Sequence, residues 1–229
     1  MSGRALRYPA GTLRFPSGSL RFLALGDSYT IGEGVAPEAR WPHQLAARLR
    51  DAGVPLEDPT IVAVTGWTTD ELAAGLDAAE AEGRVHGRYA LVSLLIGVND
   101  QYRGRDAEAY RREFRALLGR AVAFAGAEAS RVLVLSIPDW GVTPFAARTP
   151  SGAADGRDRA QIAREVDAFN RVNREEAARV GARYVDVTPL SRTQGAQVVD
   201  DGLHPDGAAY AAWTALALPE ARAALAAGA

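Results

Sequence analysis

Short apolar runs alternate with longer helical patterns along most of this chain, and that alternation narrows its fold more than any other feature. Runs suited to buried strands occupy residues 20–25, 60–64, 89–95, 131–137 and 183–187. Between them lie segments with helical spacing. Residues 42–51 carry Leu45 and Leu49 one turn apart. Thr68-Thr69-Asp70-Glu71 has the spacing of a capping box and opens a second helix. Asp106 is placed to cap a third, running to about residue 126. Residues 159–180 put Ile162, Val166, Phe169 and Val172 on one stripe, and residues 206–227 form the last helix. Short, largely apolar strands, each followed by a helix, predict an α/β fold with a five-stranded parallel sheet covered on both faces. In such sheets ligands bind beyond the carboxyl ends of the strands.

The 229 residues, 48% of them hydrophobic, suffice to bury one sizeable core. We therefore expect a single domain over residues 20–229. Ahead of it, Leu6-Arg7-Tyr8, Leu13-Arg14-Phe15 and Leu20-Arg21-Phe22 recur every seven residues. The prolines and glycines between the copies rule out a coiled coil, so residues 1–19 are expected to form a tail or a hairpin. The chain has no run of about 18 apolar residues and no apolar stretch at its start long enough for a signal peptide. The expectation is a cytoplasmic protein without membrane insertion.

Several chemistries are excluded by what is missing. There is no cysteine, hence no thiol nucleophile, disulfide or thiolate metal site. Every basic residue is arginine, which excludes a Walker A lysine, a Schiff base and a Ser-Lys pair. A formal net charge of −2 gives no surface for nucleic acid. The three histidines lack metal-ligand spacing, so no metal and no cofactor are expected.

The polar motifs fall where the strands end. Gly26-Asp27-Ser28-Tyr29-Thr30 follows the first strand, Gly66 the second, and Gly97-Val98-Asn99-Asp100 the third. Asp201-Gly202-Leu203-His204-Pro205 lies after the fifth strand and before the last helix. Together they supply the parts of acyl transfer. A serine hydroxyl needs a base to take its proton, and histidine titrates near neutrality. An imidazole needs a partner to fix its tautomer, and Asp201 stands three residues before His204. The tetrahedral oxyanion needs donors, for which the backbone N–H groups of Ser28 and Gly66 and the Asn99 amide are candidates.

This set of blocks resembles the SGNH (GDSL-type) hydrolase superfamily, named for Ser, Gly, Asn and His in four blocks, with lysophospholipase- and esterase-like members. The resemblance runs from about Leu20 to Trp213. It implies a flavodoxin-like three-layer α/β/α sandwich and hydrolysis of esters or thioesters without a metal. It also implies Ser28 as nucleophile and oxyanion donor, Gly66 and Asn99 as the other donors, and Asp201 and His204 as the rest of a catalytic triad. Tyr29 stands where many members have leucine, and bulky Trp67 follows Gly66. No Gly-x-Ser-x-Gly elbow is present, which disfavours an ordinary α/β-hydrolase.

The remaining candidates are weighed by position. His43 at a helix start and His86 in a polar turn read as structural, and Asp27 and Asp100 as braces for their loops. Asp200 is the rival to Asp201, set aside on spacing and family pattern. Trp67, Tyr102, Trp140 and Phe145 lie past strand ends or in long loops and are candidates for binding substrate. A loop from Pro138 to about Asp158 has the length of a lid. The expected function is a serine carboxylester hydrolase working through an acyl-enzyme on short-chain acyl esters, acetylated sugars or lysophospholipids. The alternatives are a thioesterase or acyltransferase using the same triad, and a non-catalytic ligand-binding module of the same fold. The sequence leaves the acyl chain, the alcohol and the oligomeric state open.

Overall fold

The computed structural model describes residues 19–148 and 158–226. Its sheet contains β1 (Phe22–Gly26), β2 (Thr60–Ala63), β3 (Leu91–Leu95), β4 (Val132–Leu135) and β5 (Arg183–Val185), all parallel, in the order β2-β1-β3-β4-β5. This is the flavodoxin-like order, which reverses direction between β1 and β3 and opens a crevice at their carboxyl ends. Every residue of β1 and β3 is buried, which is why these runs are apolar without alternation. A fully buried leucine such as Leu23 or Leu94 contributes about 1.5–3 kcal/mol.

The helices are α1 (Ser28–Ile31), α2 (Trp41–Asp51), α3 (Thr69–Ala81), α4 (Val98–Tyr102), α5 (Ala107–Phe124), α6 (Pro144–Arg148), α7 (Arg159–Val180), α8 (Thr188–Ser191) and α9 (Gly207–Ala226). α2 and α9 pack together as one outer layer, and α3, α5 and α7 pack in series as the other. The caps read from sequence are present. Asp106 accepts from the N–H groups of Glu108 and Ala109, and the Thr68 N–H donates to Glu71 at 2.9 Å. Ile162, Val166, Phe169 and Val172 are all buried along α7.

The strands are shorter than the apolar runs, because other partners take over at their ends. The Tyr89 N–H donates to the Phe124 carbonyl at the end of α5 rather than to a strand. The Ile137 N–H donates to the Asn170 side chain of α7, and the Val187 N–H to the Ser136 hydroxyl. Leu20 makes only an isolated bridge to Leu56. Of the predicted lid, residues 149–157 lie outside the described residues, and ahead of them a 3₁₀ turn at Trp140–Val142 leads into α6. The tail or hairpin expected over residues 1–19 lies, except for Ser19, outside the described residues. Among the described residues no helix is long and apolar enough to cross a membrane.

Register is what creates the site. Gly26 at the end of β1 is level with Ala63 of β2 on one side and Leu95 of β3 on the other. The loops that follow therefore leave the sheet side by side, carrying Ser28, Gly66 and Asn99.

Candidate active site

Ser28 opens α1 directly after β1. Asp27 caps this short helix by accepting from the Tyr29 N–H at 3.0 Å, as a brace should. Asp27 has no solvent exposure, and its second carboxylate oxygen has no hydrogen-bond partner. Burial pushes its pKa up to about 8 against the Tyr29 hydrogen bond, and the nearby Asp100 charge adds to the rise.

The Asp201–Pro205 turn carries the candidate base. His204 Nδ1 lies 2.6 Å from Asp201 Oδ2. Asp201 Oδ1 accepts from the N–H groups of Leu203 at 2.7 Å and His204 at 3.0 Å. One carboxylate thus orients the ring and shapes the turn that carries it. Partial burial works against its charge, but the ring and the two backbone donors outweigh that, and the pKa of Asp201 is held below the usual carboxylate value. The neighbouring Asp200 is exposed. The Tyr29 ring lies against the imidazole, with centroids 5.6 Å apart. Because Nδ1 is engaged, Nε2 is the nitrogen left for proton transfer.

The β2–α3 and β3–α4 loops meet beside Ser28. Asn99 Nδ2 donates to the Trp67 carbonyl at 2.9 Å, and its second hydrogen has no acceptor among the described residues. Among the described residues, neither the Ser28 nor the Gly66 N–H has a backbone acceptor. Gly66 has φ +88° with open space around it, so glycine is needed there for the backbone alone. Gly97 is constrained twice over. Its φ is +121°, and an added Cβ would lie 2.4 Å from the Tyr110 hydroxyl, which donates to Asn173 at 2.6 Å. Arg103 donates to the Gly66 carbonyl at 2.8 Å.

Ser28, Asn99 and His204 line one cleft of about 170 Å³, together with Tyr29, Thr65, Val98, Tyr102, Trp140, Phe145 and Leu203. No hydrogen bond between Ser28 and His204 is present among the described residues. Three of the four aromatic candidates are here. The Trp140 ring meets Tyr102 at 5.3 Å and Phe145 at 6.3 Å, and its Nε1 donates to Gln101 at 2.8 Å. Trp67 differs: its indole packs over Gly75 of α3, and its backbone carbonyl is what reaches the site, through Asn99. His43 and His86 lie away from the cleft.

Sequence reading missed Gln101, Arg103 and Arg105. The available signal was two arginines just after Asn99-Asp100, facing acidic Asp70-Glu71 at a helix start. The carboxylates of Asp70, Asp100 and Glu113 lie close enough together to hold a metal ion. However, the Arg105 guanidinium already contacts all three, at 2.7, 3.2 and 3.1 Å.

Known proteins of this shape share the arrangement of layers. TesA superposes with a TM-score of 0.64 at 25% identity, covering 87% of this chain and 97% of its own. The psychrotrophic esterase EstA from Pseudoalteromonas sp. gives 0.63 at 16% identity, covering 89% and 97%. An acetylxylan esterase from Geobacillus stearothermophilus gives 0.61 at 18% identity, covering 89% and 95%. The latter two similarities speak to fold. A comparison with curated proteins gives no match. The model of the GDSL-like Lipase/Acylhydrolase family matches residues 24–212, from within β1 to α9 and across all four motif blocks. On that span the chain belongs to the GDSL-like lipase/acylhydrolase family of SGNH hydrolases, and its chemistry is ester hydrolysis.

Proposed function

We propose that the protein is a serine carboxylester hydrolase that forms an acyl-enzyme on esters of short to medium acyl chains. The observation that carries this reading is the Asp201–His204 pair at 2.6 Å, set in the same cleft as Ser28. In this reading Ser28 Oγ attacks the ester carbonyl while His204 Nε2 takes its proton. Asp201 holds the tautomer and stabilises the imidazolium. The N–H groups of Ser28 and Gly66 and the second Asn99 hydrogen receive the oxyanion, and each such donor lowers the barrier by roughly 3 kcal/mol. The intermediate expels the alcohol, which leaves with the proton from His204. A water then gives its proton to His204 and attacks the acyl-serine, and collapse of the second intermediate returns the proton to Ser28 and frees the acid.

The cleft walls favour an apolar acyl chain over a bare acetyl group on a sugar. Val98, Tyr102, Trp140, Phe145 and Leu203 present carbon, and among the described residues no Asp, Glu or Arg side chain lines the space. A cavity of about 150 Å³ holds a benzene ring, so about 170 Å³ accommodates an acyl tail of roughly six carbons.

The test is initial-rate hydrolysis of p-nitrophenyl esters from acetyl to dodecanoyl, by the native protein and by Ser28→Ala. We expect a rate maximum at butanoyl to hexanoyl, and loss of about 10⁴-fold or more in the variant. Turnover that survives in Ser28→Ala overturns the nucleophile. A folded native protein that binds these esters without turnover makes it a binding module instead.

A further inference from the structure

Two arginines join the loops that carry Gly66 and Asn99: Arg103 through the Gly66 carbonyl and Glu71, and Arg105 through a buried set of carboxylates. Arg105 Nη1 lies 2.7 Å from Asp70, 3.2 Å from Asp100 and 3.1 Å from Glu113, and Nη2 donates to the Thr68 hydroxyl at 3.3 Å. Thr68 and Asp70 begin α3, just past Gly66. Asp100 is the neighbour of Asn99 on α4, and Glu113 sits on α5. One side chain therefore touches each element around the donors.

Asp100 is where this contact matters. Its carboxylate is fully buried and accepts from the Thr69 N–H at 3.1 Å and the Thr69 hydroxyl at 2.8 Å. These bonds run from α4 to α3 and parallel the Asn99–Trp67 bond. Arg105 supplies the countercharge. A buried charge that loses its partner is strongly destabilising, and its surroundings move to relieve it. Here the surroundings include the Asn99 amide, and misplacing a reacting or stabilising group by about 1 Å can cost 10²-fold in rate.

We propose that Arg105 is a positioning residue for ester hydrolysis: its guanidinium locks the Asn99–Asp100 turn to the start of α3, so that the Asn99 amide and the Gly66 N–H converge on one oxygen. The inference rests on the reading of Asn99 and Gly66 as oxyanion donors. Arg105 touches no substrate and acts through Asp100. Lysine keeps the charge but lacks the planar fork that spans Thr68 and three carboxylates.

The groups facing Asp100 also fix how pH enters. They are Thr69 and Asp70 at the start of α3, Arg105 beside it, Tyr110 and Glu113 from α5, and Asp27 from the β1–α1 turn. Burial already raises the pKa of Asp100, against the Thr69 hydrogen bonds and Arg105. Removing the cation leaves the Thr69 donors but no countercharge among these neighbours, and raises it further. Protonation then loosens the Thr69 bonds on the acid side.

The experiment measures kcat and KM for p-nitrophenyl butanoate from about pH 5 to 9, with folded fraction followed by circular dichroism. The proteins compared are the native form, Arg105→Met, Arg105→Lys and Asn99→Ala. Arg105→Met is expected to lose about 30-fold in kcat with KM within about twofold, and to lose more at acid than at alkaline pH. Arg105→Lys should recover part of the rate without the extra acid loss. Native kcat in Arg105→Met, or a loss that is uniform in pH and matches the unfolded fraction, overturns the proposal. If the methionine variant does not fold, the lysine variant decides: reduced kcat at unchanged KM supports the proposal, and native kcat overturns it. Native kcat in Asn99→Ala sinks the oxyanion reading and this inference with it. A slow Asn99→Ala beside a fast Arg105→Met sinks the inference alone.

Discussion

The two halves of the cleft are held in opposite ways. The histidine half is local. Asp201 receives the His204 ring and the N–H groups of Leu203 and His204, all from within three residues of itself. The donor half is assembled from a distance. Asn99 reaches Trp67 across 32 residues and Asp100 reaches Thr69 across 31, in contacts that exist only once β1, β2 and β3 are in register. The side-chain contacts that aim the ring lie within this turn, and its backbone is tied down further by the N–H groups of Val199 and Phe145, which donate to the His204 and Gly202 carbonyls. A distant assembly needs the sheet, two helix starts and a cation between them. Damage to the first half should therefore abolish chemistry and spare the fold, whereas damage to the second should affect both.

The sharpest way to break that contrast is at the two adjacent aspartates. Asp201→Asn keeps the shape of the turn but offers the ring an amide in place of a carboxylate. We expect a loss of about 10³-fold in kcat at pH 8 with little change in thermal midpoint. Asp200→Asn, at an exposed position, should stay within about twofold of native. Equal losses at the two positions, or a large drop in melting temperature for Asp201→Asn, would remove the distinction between the halves.

The same contrast explains what could be read from the sequence. The sheet was legible because residues 22–26 and 91–95 are buried on both faces and therefore apolar except for Ser93. The histidine turn was legible because a three-residue interval fixes its geometry. The walls of the donor half were not. Nothing near Trp67 in sequence says that its indole covers Gly75, because Gly75 lies a full helical turn into α3. Nor does Arg105 announce that Asp70, Asp100 and Glu113 converge on it, since their proximity depends on the packing of α3 against α5. Gln101 was invisible for a similar reason. It is buried because it joins Trp140 on one side to Glu165 of α7 on the other, and neither partner is nearby in sequence.

Trp140 tests how far the long-range assembly reaches into specificity. The indole is held by Gln101 on α4 and flanked by Tyr102 and Phe145, so it forms a fixed wall of the cleft proposed to hold the acyl chain. Trp140→Ala should lengthen that space and move the rate maximum toward octanoyl or decanoyl esters. The ratio of kcat/KM for decanoyl over butanoyl should rise by about tenfold, in line with the 1–3 kcal/mol that a methylene-sized change in a pocket is worth. An unchanged chain-length profile across the p-nitrophenyl series would show that the wall lies elsewhere.

A different contrast separates the halves by pH rather than by rate. Ser28 and His204 each have a carboxylate beside them, and the two are perturbed in opposite directions. Asp27, next to Ser28, is fully buried and titrates at about 8, against 3.8 in an unfolded chain. Between those values the unfolded state sheds a proton that the folded state retains. The contribution of Asp27 to stability is therefore complete below about pH 4 and is lost as pH rises to about 8, by an amount on the order of a few kcal/mol. Asp201, next to His204, is held below 3.8 by its donors, so its contribution is present above that value and is lost only as pH falls through the lower one. Asp27→Asn mimics the protonated acid and can still accept from the Tyr29 N–H. Urea denaturation of the native protein and of this variant at about pH 5 and 8 should give curves that diverge as pH rises, with the variant the flatter of the two. Parallel curves would mean that Asp27 ionises in the folded protein as it does in water. In that case water or a rearranged neighbour must reach its second oxygen, and the serine half would be less sealed than its burial indicates.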